Sequence, residues 1–152
     1  VFWAAWCAAS MPAGAGGGAR EDNRRMVERQ RAERAQLELL QDRQRKFLTS
    51  SLGDDKRRFE AGLKAEREEL EKKAASERKT LEPTQRAAFG RRVKEQKLEL
   101  EQGQTTRRKR FQDSQRGRTA EMRRRWGVEW ADMKLRQISE REGMLRRHVL
   151  GQ

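Results

Sequence analysis

Residues 89–144 read FGRRVKEQKLELEQGQTTRRKRFQDSQRGRTAEMRRRWGVEWADMKLRQISEREGM, and their apolar marks, Phe89, Leu100, Phe111, Met122, Met133 and Met144, are eleven residues apart at every step. Eleven residues in three turns is about 3.67 per turn, close to the natural period of the α-helix. Such positions stay on one face of a nearly straight helix or drive a slight right-handed supercoil; a seven-residue repeat would drift off them. The spacing continues upstream, where Phe59, Leu70 and Leu81 are eleven apart, as are Leu63 and Ala74. Nearer the start, Leu37, Leu40, Phe47 and Leu48 recur at helical spacing.

The composition agrees with helix and argues against an ordinary globule. Of the 152 residues, 40% are charged and 34% hydrophobic, whereas globular domains run at about 25% and 45–50%. That leaves too little apolar surface to close a compact core, and favours either disorder or long helices that bury a narrow stripe. Ala, Leu, Glu, Gln, Lys and Arg dominate, all good helix formers. Tyr is absent and Val, Ile and Thr are sparse, so strands are not expected. Acid-before-base pairs four apart, Glu60–Lys64, Glu68–Lys72, Glu69–Lys73, Glu82–Arg86, Glu121–Arg125, Asp132–Arg136 and Glu142–Arg146, add about 0.2–0.5 kcal/mol each.

These features predict an all-α, elongated, non-globular chain of two to three long charged helices, as an extended helical rod or coiled coil. Residues 1–19 are expected to form a flexible Gly/Ala-rich tail; 1–10 precede Met11 and read either as lying outside the native protein or as a short apolar signal segment, without the basic start of one. A first helix covers 20–52. Thr49 to Asp54 reads as a break, with Gly53 suited to a helix C-terminus and Asp54 or Asp55 to the next N-cap. A second helix covers 54–82. Pro83 marks a kink or restart, and a third helix covers 84–150, with its softest point at Gly103 to Thr106. One helix over 55–150 would span roughly 140 Å at 1.5 Å per residue. A helix that long with so thin a stripe calls for stabilising partners.

The net charge of +13 predicts attraction to polyanions. More than half of it lies in residues 104–125, which hold nine basic and two acidic side chains. The cluster Arg107-Arg108-Lys109-Arg110 is the strongest charge feature and the candidate polyanion-binding site. Acidic residues are interspersed elsewhere, which argues for an acidic protein surface over nucleic acid, because each acid repels phosphate.

For catalysis the sequence offers little. It has no Cys/His pair, no phosphate-cradling Gly loop and no metal-ligand spacing. The single cysteine, Cys7, permits no internal disulfide. His148 has no second ligand. No apolar run reaches the ~20 residues of a membrane span. The expectation is a protein that is not an enzyme, with no cofactor, no metal and no membrane span.

Phe111-Gln112 followed by Arg116-Gly117 resembles the core of an IQ motif, the helical element that binds calmodulin and related EF-hand light chains. The resemblance covers 111–121; Phe111 stands where the family has an aliphatic residue, and Glu121 where it has a base. It implies a calmodulin-like light chain as a partner. Trp126, Trp130, Met133 and Leu135 extend Phe111, Gln112 and Arg116 into a candidate partner-binding set, of the kind a helix-in-groove interaction reads. Trp, Met and Arg are enriched at interface anchors; packing inside a helical hairpin is the competing use of the two tryptophans.

Together these readings point to a structural or scaffolding protein docked along a larger assembly. The host expected is an acidic filament such as a ciliary or axonemal microtubule complex, with tubulin as the acidic partner and a cytoplasmic, cytoskeletal location. A ribonucleoprotein component binding RNA through 104–125 and a calmodulin-binding adaptor are the alternatives.

Overall fold

The computed structural model describes residues 17–151. It is all-α: α1 runs Gly17–Thr80 and α2 runs Arg86–Leu150, with no strand among the described residues. The expected tail lies outside the described residues for 1–16, and Gly17, Gly18 and Ala19 instead form the first turn of α1.

The chain turns over Leu81–Gln85. Pro83 has no N–H and disfavours helical geometry at Glu82 before it. The Thr80 hydroxyl donates to the Glu77 carbonyl at 2.8 Å, and Gln85 N donates to Glu82 O at 3.0 Å. The Phe89 amide then donates to Gln85 O at 3.1 Å, opening α2.

The break expected at Thr49–Asp54 is absent, so 20–52 and 54–82 are one helix. Gly53 costs about 1 kcal/mol within a helix. That cost is outweighed by packing, since Leu48 and Leu52 are both part-buried. Asp54 pairs with Arg57 in the same helix. The soft point at Gly103–Thr106 is likewise continuous helix. The Thr105 and Thr106 hydroxyls fold back onto the Glu101 and Gln102 carbonyls, at 2.9 and 3.2 Å.

The described residues form two compact units. One comprises the start of α1, up to Arg43, with the end of α2, from Arg124; the other comprises Gln44–Arg123. In each, a segment of α1 lies antiparallel to a segment of α2. The apolar stripe expected to need partner chains is buried against the chain's own second helix. Within the Gln44–Arg123 unit, Leu63, Phe89 and Val93 are buried, and Phe59 stacks on Phe111 with ring centroids 4.3 Å apart. Within the other unit, Met26, Trp126, Met133 and Met144 are buried.

Glutamines fix the register. Gln104 and Gln115 donate to the carbonyls of Leu63 and Leu52, at 2.8 and 3.0 Å. Within the other unit Gln41 donates to the Trp126 carbonyl at 3.2 Å. There too, Gln30 and Gln137 donate to each other's carbonyls, both at 3.1 Å. A helical carbonyl has a second lone pair for this bond. In all four pairs the two residue numbers add to 167. No buried side-chain polar atom among the described residues lacks a partner.

Candidate interaction surface

The eleven-residue period organises charge as well as core. α1 carries a base at Arg34, Arg45, Lys56, Arg67 and Arg78, and immediately before each stands Glu33, Gln44, Asp55, Glu66 or Glu77. Neighbouring residues lie about 100° apart around a helix, so the two rows flank the core on opposite sides.

In the Gln44–Arg123 unit two acids of this row, Asp55 and Glu66, are neutralised from α2. Arg118 reaches Asp55 at 2.7 Å, and Arg107 grips Glu66 with both guanidinium nitrogens, one of them at 2.7 Å. On the basic side, Glu60 takes both nitrogens of Arg108 at 3.2 Å. The Arg108 guanidinium holds the Glu60 carboxyl below its usual range, aided by the charges of Arg108, Arg67 and Lys56. Arg107 does the same for Glu66, helped by a bond from Gln104. Both arginines are held above their ordinary values by the same contacts.

The Phe59–Phe111 stack and the Glu60–Arg108 pair set two basic clusters at one level. Lys56-Arg57-Arg58 on α1 thereby stands beside Arg107-Arg108-Lys109-Arg110 on α2. Of the four predicted polyanion-binding residues, Arg107 and Arg108 are engaged with carboxylates. Lys109 and Arg110 are exposed, with no carboxylate partner among the described residues.

The predicted partner-binding residues divide between the two units and differ in exposure. Phe111 is half-buried against Phe59, so an EF-hand partner would reach it only if the helices parted. Gln112 and Arg116 are exposed and line a groove with Leu52, Gln115, Thr119, Ala120 and Arg123. Trp126 and Met133 are interior, 7% and 1% exposed. Trp130 is half-buried, with the Lys134 ammonium 5.7 Å from its ring centroid. Leu135 is 64% exposed.

Several expected charge pairs are rearranged by the second helix. Arg136 bonds Glu33 at 2.8 Å across the helices rather than Asp132, and Glu60 bonds Arg108 rather than Lys64. Glu69–Lys73 forms within α1 at 3.2 Å, as its spacing predicts. His148, at the end of α2, lies 3.7 Å from Asp22.

Sequence reasoning passed over Gln30, Gln41, Gln104, Gln115 and Gln137. Their signal was present: Gln30 and Gln41 are eleven apart, and Gln104, Gln115, Trp126 and Gln137 continue one such row. Reading only apolar residues hides a row whose members are polar yet interior.

Among the described residues no group of three or more His, Cys, Asp or Glu is placed to hold a metal, and no helix is long and apolar enough to cross a membrane. The chain matches no protein-family model, no curated protein and no solved structure.

Proposed function

We propose that this is a structural, protein-binding chain whose basic middle docks on the acidic surface of a larger assembly, such as the lattice of a ciliary microtubule. One observation carries the reading: pairing of the helices gathers Lys56-Arg57-Arg58 and Arg107-Arg108-Lys109-Arg110 at one level, while Asp55, Glu60 and Glu66 are tied to arginines of α2. What remains outward is mainly cationic. An acidic lattice attracts such a surface at long range, and salt screens the attraction.

Co-sedimentation with polymerised tubulin tests this. The chain pellets with microtubules at low salt, and the K109E/R110E variant pellets much less while keeping its helical circular dichroism. Undiminished pelleting of that variant, or of the wild type in high salt, would contradict the proposal.

A further inference from the structure

We infer that the groove lined by Leu52, Gln112, Arg116, Thr119 and Arg123 receives an acidic α-helix from the partner, laid alongside α2. The inference rests on the docking reading above and names the chemistry of the element that docks. The groove exists because small residues coincide there. Thr119 and Ala120 line it from α2 and Leu52 floors it from α1. Thr49 and Gly53, spaced four and three residues before Gly53 and Lys56, belong to the same side of α1 by helix spacing. A Cβ placed on Gly53 would meet nothing within 4 Å, so no neighbour fills that space.

The walls are cationic and regularly placed. Arg116 and Arg123 line the groove, and Lys109, exposed, continues their seven-residue spacing along the same face of α2 beyond it. Seven residues rise about 10.5 Å along a helix. Carboxylates at seven-residue spacing on a second helix repeat at that same distance, so a partner lying alongside can meet the three cations in turn. Lys56, exposed and four residues after Leu52, adds charge on the same face of α1. Of the two acids of residues 104–125, Glu121 falls off the stripe formed by 112, 116, 119 and 123, and Asp113 stands at its edge, four residues after Lys109 and three before Arg116. Lys109, Arg116 and Arg123 form no ion pair with a carboxylate among the described residues, whereas the charge of Lys56 also acts on Glu60.

The floor favours a peptide over a nucleic-acid strand. Single strands are held by aromatic side chains on which bases stack, and no aromatic residue lines this groove. A leucine, a threonine methyl and an alanine suit the apolar edge of an amphipathic helix instead.

Fluorescence anisotropy with the full chain decides the matter, using three labelled probes. The first is an end-blocked helical peptide with glutamates at seven-residue spacing beside leucine and alanine. The second is a scrambled peptide of the same composition, and the third is single-stranded oligo-dT. The expected result is binding of the ordered peptide about tenfold or more tighter than either other probe. R116E/R123E abolishes it, R116Q/R123Q weakens it, and a peptide with lysines in place of the glutamates restores binding to R116E/R123E. Rescue by that peptide also shows that the variant is folded. Equal binding of ordered and scrambled peptides, both lost in R116E/R123E, overturns the acidic-helix inference and leaves the acidic-surface reading standing. Tighter binding of oligo-dT also overturns the inference, and no binding of any probe overturns both.

Discussion

Two phenylalanines show how differently one residue type is used along these helices. Phe111 stacks on Phe59, while Phe47 on the same helix as Phe59 is 76% exposed. Fully buried Phe→Ala changes cost about 3–5 kcal/mol, and exposed ones stay within about 0.5 kcal/mol. Phe111, half-buried, falls between them: Phe111→Ala should lose about 2 kcal/mol in urea unfolding, and Phe47→Ala should leave the midpoint unchanged. At the same scale, Arg108 and Arg107 depress the carboxyls of Glu60 and Glu66. Their stabilisation is therefore fully present above the ordinary glutamate pKa of about 4.3 and is lost as pH falls through the lowered values. Thermal midpoints should drop on acidification from neutral pH to pH 3, and E60Q/E66Q should drop less. An equal drop in the variant would show that these pairs are not responsible.

At the scale of the helix, the glutamine layers separate stability from specificity. Each facing carbonyl keeps its intrahelical bond, so removing the extra donor leaves no bare acceptor, and an apolar side chain of similar shape can be neutral or stabilising. Buried polar layers are best attested as devices for register and partner choice. Replacing Gln30, Gln41, Gln104, Gln115 and Gln137 by Leu should therefore hold or raise the thermal midpoint while admitting slipped or intermolecular pairings, visible by light scattering. A large fall in the midpoint with a monomer retained would contradict this role. The same layers explain what could be read in advance. The all-α class and the eleven-residue stripe are legible because Phe89 to Met144 keep one phase. Pro83 marks the interruption but does not say whether the chain kinks or reverses. The break anticipated at Thr49–Asp54 weighs local propensity, and packing of Leu48 and Leu52 overrides it. The candidate interaction surface was half legible: Arg107 to Arg110 stand out as a run, but their juxtaposition with Lys56 to Arg58 needs the second helix. So does the removal of Arg107 and Arg108 into ion pairs.

For the molecule as a whole, the consequence is that the chain is its own partner. Its stripe of apolar and glutamine residues is consumed internally, and what it offers outward is mainly charge, +13 in net terms, with exposed apolar side chains such as Phe47 and Leu135 scattered among it. That account depends on the antiparallel register, in which Phe59 meets Phe111. The same repeat makes a slip of eleven residues the natural competitor, because it would set Phe59 against Leu100 or Met122 while keeping apolar faces matched. Paired cysteines in a background with Cys7 replaced by Ser discriminate directly. Under mild oxidation the account predicts that F59C/F111C closes a disulfide within one chain, whereas F59C/M122C and F59C/L100C do not. Comparable closure of either slipped pair, or disulfides formed between chains by F59C/F111C, would contradict it.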